Sequence, residues 1–301
     1  MALPGKRFTA YGSAVLLVLA TLTVTTAAAA TAASGPKELC GRGSAIDFDP
    51  WEFPDSPQIN NKWFPLKPGM QYTTDGTVTS ADGTSAHKVV HTVTGLTKVI
   101  DGVNTRVMWD RDYSDGELAE SELAFFAQSE DNNVWLFGEY PEEYENGKFV
   151  GAPSTFISGI AEAQAGTAMQ AHPRTGTPAY VQAYAPQVDF LDCGDVFKTN
   201  QHVCVPTGCY DDVLVIDEFN PLDPPSAGHQ RKFYSAGTGL VKVTAVGGDQ
   251  QETMDLVKIR QLSDAQLKKV NEQALELDRR AYKVSKDVYA KTPRAVEVDP
   301  R

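Results

Sequence analysis

Cationic side chains are scarce in this chain. Its 301 residues hold 27 Lys and Arg against 39 Asp and Glu, a formal net charge of −12. No basic cluster relieves the deficit. Nucleic acids and anionic lipid surfaces are held by Lys and Arg that neutralise phosphate, so neither is expected as a partner. Long apolar runs are scarce too. The one that stands out, "AVLLVLATLTV" from Ala14 to Val24, is about half of what a membrane-spanning helix needs, and no stable membrane insertion is expected. Signature motifs of catalysis are missing: no Gly-x-Ser-x-Gly elbow, no His-Glu-x-x-His, no phosphate-cradling glycine loop, no dinucleotide fingerprint. The sequence therefore names no catalytic residue, no cofactor and no metal ligand, and it tilts away from an enzyme.

What is present begins with an export signal. Lys6 and Arg7 precede the apolar run, and "TTAAAATAAS" follows it, the order of a secretory signal peptide. Residues 1–33 are read as that signal, with cleavage between Ala28 and Ser34. Cys40 follows Leu39 instead of a small residue at the cut, so a lipid anchor is not expected. The product is expected to be secreted, in an extracellular and oxidising setting where thiols pair. Its four cysteines, Cys40, Cys193, Cys204 and Cys209, allow three connectivities. A zinc site would want a tight Cys-x-x-Cys or a matched His/Cys set, which the wide spacing from Cys193 through Cys204 to Cys209 around the lone His202 does not supply. All four are read as disulfide-bonded. With "KTNQ" (198–201) as a hairpin turn, Cys193 would face Cys204 and Cys40 would pair with Cys209.

The patterning is that of β structure. Asp-Gly and Asn-Gly steps recur in "TTDGT" (73–77), "SADGT" (80–84), "VIDGV" (99–103), "YSDGE" (113–117) and "YENGK" (144–148), with "SEDNN" at 129–133. They supply the positive φ angles of tight hairpins. In "VNTRVMW", Val103, Thr105, Val107 and Trp109 alternate with Asn104, Arg106 and Met108, the period of a strand. The expected fold is mainly β: a curved antiparallel meander, half-barrel or sandwich, with a C-terminal amphipathic helix. An N-terminal extended segment (34–62) precedes a β domain (63–261) that makes a long excursion at 151–178. The helix (262–284) carries Ser263 as N-cap, with Leu267, Val270, Ala274, Leu277 and Ala281 on one stripe. A polar tail (285–301) ends the chain. Trp63, Phe64, Trp109, Trp135 and Phe137 are expected to pack against Leu267, Val270 and Leu277.

Each candidate site has a plainer reading. His87 and His91 are four apart, which suits a shared metal on a helix. On a strand they lie ~13 Å apart, so half-exposed strand histidines are expected. Asp110 and Asp112 open a calcium-loop pattern, but Asp115 and Ser121 stand where Gly and Glu belong. An acidic hairpin turn is the reading, and "GEYPEEYENG" (138–147) is read as a solvated edge. The glycines of "SAGTGLV" (235–241) are read as a bulge or bend within a strand.

Two stretches carry a resemblance. "NNKWFPLKPGMQYTTDG" (60–76) resembles the opening strand of many uncharacterised exported bacterial proteins. "KFYSAGTGLVKVT" (232–244) is similar to a late strand of the same proteins and of lipoprotein-carrier-like half-barrels of the bacterial envelope. The resemblance implies a curved sheet around a helix or cavity, and carriers of that type bind acyl chains. This chain departs from them in its acidity, its cysteines and its missing lipid anchor. The function expected is a non-enzymatic exported binding protein for an apolar or amphiphilic small molecule or an envelope protein. The alternative is a secreted hydrolase using unrecognised Asp, Glu and His residues, His172 and His229 included.

Overall fold

Asp101, Asp115 and Asn146 take left-handed φ angles of 50°, 50° and 51°, each followed by a glycine that is also left-handed. These pairs are the hairpin turns the sequence announces. A computed structural model describes residues 37–298, so the expected signal peptide at 1–33 and its cleavage zone lie outside the described residues. The first strands are β1 (Met70–Ser80), β2 (Gly83–Ile100), β3 (Val103–Ser114), β4 (Glu117–Gln128) and β5 (Val134–Glu145). The short β6 (Lys148–Gly151), β7 (Phe156–Ile157) and β8 (Gln164–Met169) follow, then β9 (Tyr180–Ala185) and β10 (Phe190–Val205). The last are β11 (Gly208–Phe219), β12 (His229–Ser235), β13 (Gly239–Val246), β14 (Gln251–Gln261) and β15 (Val296–Glu297). Helix α1 (Asp264–Val284) lies between β14 and β15, and Ser263 and Gln266 form its capping box.

The sheet is antiparallel throughout, and it closes. Its order runs β1-β14-β13-β12-β11-β10-β9-β8-β5-β4-β3-β2, and β1 also pairs with β2. The half-barrel or sandwich expectation is thus corrected to a closed 12-stranded barrel. The closing strand is β1, whose residues pair on one side with β2 and on the other with β14. Asp75–Gly76 sits inside it and is not a turn. A Cβ at Gly76 would lie 1.7 Å from the Thr253 carbonyl oxygen, so the glycine is there to let β14 approach. "SAGTGLV" does hold a bend and a bulge, as read: residues 236–238 turn between β12 and β13, and the register shifts by one residue at Val241.

Strand alternation gives the barrel an inner and an outer core. The inner one gathers Val93, Met108, Phe126, Leu136, Met169, Val196 and Ile216 from around the ring. The outer one covers one side of the barrel, where Val107, Trp109, Trp135 and Phe137 pack against Ala274, Leu277 and Ala281 of α1. Phe48 and Phe53 complete it, with ring centroids 5.3–6.0 Å from Trp135 and Phe137. Trp63 and Phe64 do not join this core. Asn61 Oδ1 accepts from both of their backbone N–H groups, turning the chain so that they enter the inner core. Phe64 meets Phe126 and Tyr234 at 5.2 and 6.3 Å. The barrel is therefore plugged with apolar side chains at the end where β4 finishes and β5 begins.

The cysteines pair as Cys40–Cys193 and Cys204–Cys209. All four are bonded, but the expected connectivity is corrected. Residues 198–201 lie within β10, and the turn comes at Pro206 and Thr207, so Cys204 faces Cys209 across the ladder. Disulfides of this kind belong to an oxidising compartment.

Candidate functional site

The end of the barrel opposite the plug is polar. Met108 faces the inner core, and a strand returns to the same face every second residue, so Asp110 and Asp112 point into the lumen beyond it. On β4, Ala124 and Phe126 face inward, and Glu122 and Glu120 continue that face. Glu139 of β5 stands opposite Ala124 in the ladder. Asp192 and Glu218 come from β10 and β11, and Glu252 from β14. Adjacent strands thus set carboxylates side by side on the inner wall.

Few cations answer them. Lys232 forms an ion pair with Glu218, and the carboxylates around it raise its pKa against the opposing effect of burial. His87 Nε2 lies 2.7 Å from Asp112 Oδ1, and its Nδ1 is 2.6 Å from Glu252 Oε1, a salt-bridge contact that is not an aligned hydrogen bond. Burial works against its charge, but these two carboxylates outweigh burial and lift His87 to about 10. His91 Nδ1 sits 3.0 Å from Asp110 Oδ1.

The remaining carboxylates repel one another in a poorly solvated space. Burial, with Asp112, Glu143 and Asp110 adding to it, pushes Glu120 up to about 7. Burial, Glu120 and Asp192 push Glu139 up to about 8. Glu122 is raised for the same reasons. Asp192 rises to about 7 through burial and the charge of Glu218. The mouth widens into a cavity of about 350 Å³ lined by Asp192, Glu218, Asp223, His229, Lys232 and Glu252 among others. Gln182 is buried and donates to Glu218 Oε1, while its own Oε1 has no partner.

Several sequence expectations change here. His87 and His91 are partly exposed strand histidines, as expected, but they face inward as partners of Asp112 and Asp110. Those aspartates are not in a turn, which lies at Asp115–Gly116, but within β3. The segment 138–147 is not a solvated edge. Glu139 faces the lumen, and the fully buried Glu142 side chain accepts from Tyr140, Tyr144 and Arg280. The concave apolar space expected of a carrier is a polar one. His229 reaches the rim, 3.2 Å from Asp217, and His172 is exposed elsewhere. Sequence reading missed Glu120, Glu122, Glu139, Asp192, Glu218, Lys232 and Glu252. The available signal was parity, because Asp110 and Asp112 extend the face of Met108 and Glu120 and Glu122 that of Ala124.

Among the described residues no helix is long and apolar enough to cross a membrane. No protein-family model matches the chain, and no curated protein matches it. Two solved structures align with it. One is a predicted exported protein with YmcC-like fold from Bacteroides fragilis, 16% identical over 66% of this chain and 98% of that one, with a TM-score of 0.37. The other is a predicted lipoprotein from Parabacteroides distasonis, 11% identical over 65% and 97%, with a TM-score of 0.31.

Proposed function

We propose that this protein is an exported, non-enzymatic binding protein whose barrel mouth takes a small organic cation, such as a polyamine. One observation carries the reading: the lumen holds at least eight carboxylates, from Asp110 to Glu252, against Lys232 and two histidines. A cavity of about 350 Å³ is in the range of small-molecule sites and too roomy for a single ion. Amines would neutralise Glu120, Glu139 and Asp192, which otherwise hold protons near neutrality. Binding should therefore release protons.

Titration calorimetry with spermidine in buffers of different ionisation enthalpy tests this. Saturable binding near one per chain, with proton release, is expected. Binding of a fatty-acid analogue with none of spermidine would return the reading to an apolar carrier. A second reading, a secreted hydrolase, draws on Glu120 and Glu139, since protonated carboxyls near neutral pH are what general acids require. Turnover of a glycan or ester that Glu139→Gln abolishes would favour it.

A further inference from the structure

The two disulfides differ in their surroundings. Cys193 is fully buried, whereas Cys204 and Cys209 are exposed at the tip of the β10–β11 hairpin. The tip is held by more than its disulfide. Val203 pairs with Tyr210 and Val205 with Gly208 in the ladder, Thr207 Oγ1 donates to the Leu256 carbonyl, and Val205 packs with Val241 and Leu256. Opening the bond would leave the strand pairing of the tip intact, with the two sulfurs drawing apart only to non-bonded contact.

An acid–base dyad stands beside it. His202 Nδ1 is 2.6 Å from Asp211 Oδ1, and His202 Nε2 is 3.4 Å from Cys204 Sγ. A carboxylate only accepts, so Nδ1 carries the hydrogen and Nε2 faces the sulfur. Backbone irregularity places the pair. Between the Val203–Tyr210 and Gln201–Val213 pairs, His202 alone opposes both Asp211 and Asp212, and Asp212 takes a left-handed φ of 54°. Non-glycine residues seldom adopt that conformation, and bulges of this kind re-aim side chains.

We infer that Cys204–Cys209 is a thiol–disulfide exchange site, with His202 as its proton carrier, Asp211 as the residue that positions His202, and an exported thiol as substrate. His202 Nε2 takes the proton of the incoming thiol. The thiolate attacks Cys209 Sγ, an intermolecular S–S bond forms, and the Cys204–Cys209 bond breaks. The electron pair leaves on Cys204 Sγ, which receives the proton from Nε2. Cys204 is the leaving sulfur because it is the one with a proton donor beside it. A second thiol displaces Cys209 in the same manner. Two thiols become one disulfide, and the protein gains two thiols.

The test uses the oxidised full chain, treated with free cysteine in one arm and a reduced thioredoxin-type dithiol protein in the other, followed by alkylation and peptide mapping. Cys204 and Cys209 should be alkylated while Cys40–Cys193 stays closed and the circular dichroism is unchanged. His202→Ala should slow opening at least tenfold in the arm that reacts faster, which also identifies the thiol source. Asp211→Asn should displace the pH profile of the rate. Opening of Cys40–Cys193 first, or a rate indifferent to His202→Ala in both arms, would overturn the assignment.

Discussion

Lys98 Nζ lies 3.2 Å from Asp278 Oδ1, with both side chains closed to solvent. Lys98 comes from β2 and Asp278 from α1, so the pair ties helix to barrel. The ammonium also donates to Tyr282 Oη and the Pro293 carbonyl, while Asp278 accepts from Tyr289 and Ala295. Removing one partner strands a buried charge. Lys98→Met should cost about 3–5 kcal/mol in urea denaturation, whereas joint replacement by Lys98→Met and Asp278→Leu should recover most of that loss. A double-variant loss equal to the sum of the Lys98→Met and Asp278→Leu losses would show that the pair is not coupled.

Stability should fall as the solution is made alkaline. Glu120, Glu139 and Asp192 titrate near 7, 8 and 7 in the folded chain, well above unfolded carboxylates. The folded state then holds more protons than the unfolded state through that window, so the contribution is full below the unfolded pKa and lost as pH rises to 8. Scanning calorimetry should show Tm lower by about 5–10 °C at pH 8.5 than at pH 5. A Tm that climbs across this window would contradict the buried-carboxylate assignment.

Neutral replacements in the lumen should separate stability from binding. Glu139→Gln and Asp192→Asn relieve repulsion, and each should stabilise the chain by roughly 1 kcal/mol at pH 8. Each should also weaken spermidine by tenfold or more. Variants that lose stability while keeping affinity would place the ligand elsewhere.

The disulfides should differ in stabilising effect. Cys40–Cys193 spans 153 residues and Cys204–Cys209 spans five. Chain entropy predicts a loss of about 5 kcal/mol for opening the first and about 2 kcal/mol for the second. Paired Cys→Ser variants compared by denaturant unfolding check the order.

Local chemistry made much of the architecture readable. Asp101–Gly102, Asp115–Gly116 and Asn146–Gly147 are turns because few other dipeptides accept two left-handed residues. The stripe Val270, Ala274, Leu277 and Ala281 is helical because its spacing admits little else. Barrel closure was not readable. Pairing Met70 with Gln261 is a matter of register between distant segments, which periodicity does not encode. Asp75–Gly76 misled because glycine serves close approach as well as turning. The carboxylate wall was hidden by a sound default, that charges face water, which fails where strands carry alternating acids past the end of an apolar plug.

The short β15 has a consequence for self-association. Val296 and Glu297 pair with Thr97 and Leu96 of β2, beyond the stretch where β1 covers that strand. Without them, main-chain groups of β2 near Leu96 would stand open beside the exposed Val99, a template for strands of neighbouring molecules. The tail beyond Pro293 thus acts as a guard against edge-to-edge aggregation, and a chain trimmed there would carry an adhesive border on an otherwise seamless ring.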